Sequence, residues 1–125
     1  MPAKDIKEQG KTLIYSCACS TNLGLLAQGV ANEFRDAGMA EIIPLPDPFG
    51  DDTEFKKNAA TSKLNIALDG CHVGCAAKAL KCRKIKHVSV CLTDYGCEKN
   101  KTALDKENLK LLFHEIKQKI GEHCA

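Results

Sequence analysis

Apolar residues follow two alternating patterns along this chain of 125 residues. Short and nearly continuous aliphatic runs are typical of strands that are buried on both faces of a sheet. Such runs cover residues 11–17, 39–45, 64–68 and 86–93. Elsewhere apolar residues recur at three- and four-residue steps, which predicts amphipathic helices. These predicted helices cover residues 22–37, 51–62, 72–82 and 105–122.

The alternation of strands with helices indicates a parallel sheet with right-handed crossovers. We predict a single α/β domain over residues 1–125, with residues 1–10 as a loose N-terminal segment. The expected fold is a small, doubly wound, flavodoxin-like and mostly parallel four-stranded sheet. Its predicted strand order is 2-1-3-4, with helices on both faces. In this order strands one and three are neighbours, and a crevice opens at their carboxyl ends.

Charge and composition narrow the possible partners. The chain has 18 basic and 16 acidic residues and a net charge of +2, with both signs mixed along its length. This balance favours neither nucleic acid nor a membrane surface as a partner. We interpret the basic run over residues 81–86 as a solvated face, because no aromatic residue interleaves with it.

The expected location is the cytoplasm. The N-terminal residues lack the apolar core of a secretory signal, and no apolar run is long enough for a membrane span. Disulfides are rare in a reducing cytoplasm, so the eight cysteines call for another explanation. Metal binding and thiol chemistry are the usual ones.

Four cysteines are predicted to converge on the crevice. Cys17 and Cys19 follow the first strand, and Cys71 and Cys75 follow the third. Four thiolates suit a closed tetrahedral zinc site, and they equally suit an iron–sulfur cluster. Cys97, in the loop after the fourth strand, is a substitute for the fourth ligand.

The spacing of Cys71 and Cys75 also allows a different chemistry. Residues four apart share one side of a helix, and the dipole and free N–H groups of a first helical turn stabilise a thiolate. A thiol redox enzyme or sulfur carrier would use Cys71 as nucleophile, with Cys75 or Cys17 as the resolving thiol. For any one cysteine, burial as a small apolar residue is the further interpretation. The remaining cysteines, Cys82, Cys91 and Cys124, are predicted to lie outside the site.

Three segments resemble the DGC-domain family, which is named after a tripeptide. The most specific is Ile-Ala-Leu-Asp-Gly-Cys at residues 66–71, followed by Cys-Ala-Ala-Lys at 75–78. The supporting segments are Tyr-Ser-Cys at 15–17 leading to Asn-Leu-Gly at 22–24, and Leu-Thr-Asp-Tyr-Gly at 92–96 with Lys99. Together they span about residues 12–100.

The resemblance implies a zinc-binding domain with a few cysteine ligands, and assigns Cys17, Cys71 and Cys75 to that role. In the family pattern a second cysteine stands three positions after the first, where this chain has Ser20 and instead carries Cys19. The leading hypothesis is a small cytosolic metal-binding protein that holds zinc through Cys17, Cys19, Cys71 and Cys75. Its role would be structure, sensing or delivery. No sequence feature identifies a substrate or a protein partner.

Overall fold

Four parallel strands form one sheet in the computed structural model, which describes residues 12–16, 21–46, 50–70 and 73–124, with side chains as far as residue 120. The strands are β1 (Thr12–Ser16), β2 (Glu41–Ile42), β3 (Leu64–Asp69) and β4 (Val88–Cys91). Their order is β2-β1-β3-β4, and every neighbouring pair is parallel. The predicted fold class and strand order are confirmed.

All four predicted helices are present. They are α1 (Asn22–Asp36), α2 (Thr53–Thr61), α3 (Cys75–Cys82) and α4 (Lys106–Cys124). A 3-10 helix, Leu92–Tyr95, follows β4 directly. The start of α1 is capped by the Thr21 hydroxyl, which accepts the N–H of Gly24 at 3.4 Å. Gly38 stands just past its end with φ of 73°, a left-handed conformation that glycine adopts without strain.

Two predicted boundaries are wrong. The second strand was expected over residues 39–45, but β2 has only two residues, which pair with β1 alone. The third helix was expected to begin at His72, but Gly74 has φ of 66° and ψ of 47°, which interrupts the helix before Cys75. The first residue of α3 is therefore Cys75, three residues later than predicted.

The sheet is covered on both faces because successive residues of a strand point to opposite sides. Ile14, Ile66 and Val90 pack with α1 and α4 in one apolar cluster. Leu13, Tyr15 and Ala67 pack with residues of α2 and α3 in the other. Aromatic rings meet edge to face in both layers, Phe34 with Phe113 at 4.7 Å and Tyr15 with Phe55 at 5.3 Å between centroids.

Asn65 is a buried polar residue that ties β3 to three other segments. Its Oδ1 accepts the Tyr15 hydroxyl of β1 at 2.8 Å. Its Nδ2 donates to the carbonyl oxygens of Ala59 in α2 at 3.0 Å and of Lys86 before β4 at 3.3 Å. The Ser62 hydroxyl lies 2.9 Å from the same Oδ1. A buried amide with these partners fixes the arrangement of the segments around it.

The alkaline stability of the protein is expected to depend on Tyr15. Burial raises the pKa of Tyr15 to about 12, from an ordinary value of 10.0. The unfolded state therefore ionises first, so this stabilisation is complete below pH 10 and is lost as the pH rises toward 12. The free energy of unfolding should fall by up to about 1.4 kcal/mol per pH unit from this group.

Tyr15→Phe removes this titration, and with it a hydrogen bond worth about 1 kcal/mol at neutral pH. The free energy of unfolding in urea should be measured for both proteins at increasing pH. The value for the wild type should start above that for Tyr15→Phe, decrease as the pH rises, and then fall below it. A parallel decline of the two proteins would show that Tyr15 does not titrate in this way.

Candidate functional site

The carboxyl ends of β1 and β3 lie side by side. Ser16, the last residue of β1, is in register with Leu68 of β3. Cys17 follows Ser16 in the sequence and Cys71 follows Gly70, so both are tethered to this edge of the sheet. Cys17, Cys19 and Cys71 themselves lie outside the described residues. Cys75 is described, and it is the exposed first residue of α3.

Asp69 caps α3 from a distance. It is the last residue of β3 and is only 3% exposed. Its carboxylate accepts the N–H groups of Ala76 at 2.8 Å and Ala77 at 3.1 Å, the second and third residues of the helix. A residue at the N-cap normally satisfies these groups with its own side chain, but Gly74 has none to offer. The aspartate of the tripeptide therefore fixes the start of α3 to the end of β3.

This cap corrects the expectation that the first turn of the helix stabilises a thiolate. The expectation requires free N–H groups, and Asp69 accepts two of them. Its negative charge also offsets the positive end of the helix dipole. Cys75 remains exposed at this end of α3, where a metal or a reagent can reach its thiol.

Gly70 makes a close backbone contact with α1. A Cβ atom at this position would lie 2.5 Å from the carbonyl oxygen of Leu23 and 2.6 Å from its carbonyl carbon. Leu23 belongs to the first turn of α1, and backbone atoms there cannot rotate away as a side chain could. The glycine of the tripeptide therefore allows the segment after β3 to touch the helix that follows β1.

Asn22 binds a third segment, residues 98–102, at the same edge. Its Nδ2 donates to the carbonyl oxygens of Glu98 at 3.0 Å and Thr102 at 2.9 Å, and its Oδ1 accepts the N–H of Asn100 at 2.7 Å. The chain after β4 is thereby held against the start of α1. The sequence gives no local signal for this arrangement, because almost eighty residues separate the partners.

The other described cysteines lie in different surroundings. Cys97 is 6% exposed and belongs to the apolar cluster shared with α1 and α4. Burial, followed by the nearby Glu115 and Cys91, raises the pKa of the Cys97 thiol, which disfavours the thiolate that a metal requires. Cys91 is half-buried, with its Sγ 3.0 Å from the Thr93 hydroxyl. Cys82 is exposed at the opposite end of α3 from Cys75.

Within the part of the chain that the structure describes, no group of three or more His, Cys, Asp or Glu side chains is arranged to hold a metal ion. Three of the four predicted ligands lie outside that part, so the zinc site stays a prediction. The described helices include none with the length and apolar character to cross a membrane.

The chain is similar to known proteins over most of its length. The profile of the DGC domain matches residues 13–116, which run from β1 into α4 and include all three segments with the resemblance. The chain belongs to the DGC domain family. The DGC chain is also 25% identical over 112 residues to the anaerobic and virulence modulator AnvM of Pseudomonas aeruginosa, an alignment that covers 90% of this chain and 72% of AnvM. No solved structure matches it.

Gly70→Ala should destabilise the DGC fold strongly. The added methyl group would overlap the Leu23 carbonyl, and overpacking against backbone of this kind lowers the free energy of unfolding by about 2–3 kcal/mol. Gly38→Ala is the control, because Gly38 has a left-handed φ of 73° but no atom within 4 Å of a Cβ. That strain alone amounts to about 1 kcal/mol. Equal losses in urea unfolding would show that the Gly70 contact is not restrictive.

Asp69→Ala should loosen the start of α3 by removing the remote cap, at about 2 kcal/mol in unfolding free energy. Asp69→Asn keeps one acceptor oxygen and should lose less. Hydrogen exchange provides the specific readout, because the amides of Ala76 and Ala77 would lose their acceptor. Unchanged protection of these two amides in Asp69→Ala would contradict the capping role.

Proposed function

We propose that this DGC-domain protein is a small metal-binding protein that holds zinc through the thiolates of Cys17, Cys19, Cys71 and Cys75. The observation that best supports the proposal is the contact between Gly70 and Leu23. Each of the four cysteines lies within six residues of one of these two positions in the sequence. Gly70 and Leu23, which are close in sequence to the four cysteines, therefore meet at the carboxyl edge of the sheet, and this supports the proposal.

The donor set fits zinc chemically. Four thiolates are a common set for a closed tetrahedral zinc site, and zinc bound in this way links chain segments without redox chemistry of its own. Asp69 supports the site by holding α3, and with it Cys75, at a fixed place on β3. The role would be structural, sensory or in metal delivery, and the fold itself would depend little on the metal because two apolar layers cover the faces of the sheet.

Single Cys→Ser changes test the ligand set. Cys17→Ser, Cys71→Ser and Cys75→Ser should each weaken zinc binding by about tenfold or more, since a serine hydroxyl is a poor substitute for a thiolate. Cys82→Ser is the matched control for Cys75→Ser, because both cysteines are exposed on α3 but stand at opposite ends. Competition with a chromophoric chelator gives the affinity, and elemental analysis gives the stoichiometry.

The same measurements decide between the alternatives. Loss of zinc in Cys19→Ser but not in Cys97→Ser would assign the fourth ligand to Cys19. Full zinc retention in both Cys71→Ser and Cys75→Ser would refute the proposal. Iron with sulfide in protein purified without oxygen would indicate a cluster instead, and titratable thiols without metal would indicate a thiol enzyme or sulfur carrier.

A further inference from the structure

A cleft with a volume of about 650 Å³ lies at the amino edge of the sheet, opposite the edge of the proposed zinc site. It is bounded by the second half of α2, by the chain that enters β3 and by the connection from α3 to β4. Its size falls within the range of about 300–1,000 Å³ that is typical of sites for small organic ligands. Because it lies at the opposite edge, a role for it is independent of the proposed zinc site.

Positive charge is concentrated around this cleft. Of the thirteen described residues that line it, five are basic and none is acidic; the basic ones are Lys56, Lys63, Arg83, Lys84 and Lys86. The whole chain has 18 basic and 16 acidic residues, so the imbalance does not follow from composition. The sequence predicts a solvated face for the basic run over residues 81–86, whereas the fold adds Lys56 and Lys63 to it from two other segments.

Three of these cations form no ion pair with another described residue. Arg83 does: its Nε lies 2.7 Å from a carboxylate oxygen of Asp52, and its Nη1 donates to the Ala79 carbonyl at 3.0 Å. Lys56 lies 3.7 Å from the other Asp52 oxygen. Lys63, Lys84 and Lys86 are exposed and form no ion pair with any carboxylate in the described part of the chain.

Lys84 occupies a position that suits glycine better. Its φ of 58° is left-handed, and its N–H donates to the Lys81 carbonyl while the N–H of Ile85 donates to the Leu80 carbonyl, both at 3.0 Å. This pair of bonds ends α3 in the motif that glycine usually completes. Lys84 is exposed, and backbone strain of this kind is often found at functional sites.

Apolar residues make up five of the eight remaining lining residues, and this set is termed the apolar floor. They come from α2, β3, β4 and the segment before β4, and they are Ala59, Ala60, Leu64, Ile85 and Val88. The His87 ring stands beside them with its Nδ1 2.8 Å from the Ile85 carbonyl oxygen, to which a protonated Nδ1 donates. No Phe, Tyr or Trp belongs to this described lining, so the cleft lacks the stacking platform of a nucleic-acid site.

We propose that this cleft binds a small phosphorylated organic molecule. Its phosphate oxygens would be held by the ammonium groups of Lys63, Lys84 and Lys86, since lysine is a common phosphate ligand. Its organic part would lie on the apolar floor. Cations at this edge also face the carboxyl ends of α2 and α3, where they offset the helix dipoles. The experiment must therefore separate ligand binding from helix stabilisation.

The test uses NMR titration of the full chain with AMP and glucose 6-phosphate, and with adenosine and glucose as unphosphorylated counterparts. The proposal expects a phosphorylated probe to shift the amide signals of residues 62–65 and 84–88, and its counterpart to leave them unchanged. Binding of inorganic phosphate as tight as that of both organic phosphates would overturn the role of the floor. Tighter binding of a single-stranded oligonucleotide at these residues would also overturn the proposal.

Lys84→Gly is the decisive variant. It removes the ammonium group and the backbone strain together, so Tm should stay constant or rise while affinity for the phosphorylated probe falls by about tenfold. Lys57→Gln is the matched control, because Lys57 is an exposed neighbour of Lys56 on α2 but does not line the cleft. Unchanged affinity in Lys84→Gly, or an equal loss in Lys57→Gln, would refute the site.

Discussion

The carboxyl edge of the sheet depends on the backbone contact between Gly70 and Leu23. It joins the end of β3 to the first turn of α1, which is the point where the two innermost strands of the sheet direct their chains to opposite faces. Asp69 then fixes α3 to β3, and Asn22 holds the chain after β4 against α1. Together these contacts hold α1, α3 and the chain after β4 at one edge of the sheet.

Two residues of the Asp-Gly-Cys tripeptide, Asp69 and Gly70, therefore have structural roles. Asp69 satisfies two helix N–H groups that Gly74 cannot satisfy, and Gly70 removes the side chain that would collide with Leu23. Both residues act on the backbone, so the fold requires them whether or not they contact a ligand. A cysteine that follows them directly starts from a rigid point, which is a favourable place for a metal ligand or a nucleophile.

The sequence was sufficient to predict the fold and the strand order, because period and element order are properties of the chain itself. The predictions from sequence were wrong where contacts between distant segments determine the structure. β2 pairs with β1 over two residues only, and α3 starts late because Gly74 is left-handed and the cap, Asp69, stands seven and eight residues before the amides that it caps. The basic cleft was missed because Lys56 and Lys63 come from segments that only the fold brings beside residues 83–86.

The two edges of the sheet differ in charge for a reason that is built into the fold. In a parallel α/β sheet, helices run antiparallel to the strands, so helix N-termini gather at the carboxyl edge of the sheet and helix C-termini at the amino edge. Partial positive charge at the first edge favours anionic groups, and here it is met by the Asp69 carboxylate. Partial negative charge at the second edge favours cations. The cleft gathers five basic residues, of which two pair with Asp52, and Lys84 stands in a left-handed conformation. Helix dipoles therefore account for the sign of the charge at each edge, and the proposed phosphate ligand would meet the three lysines that form no ion pair with a described carboxylate.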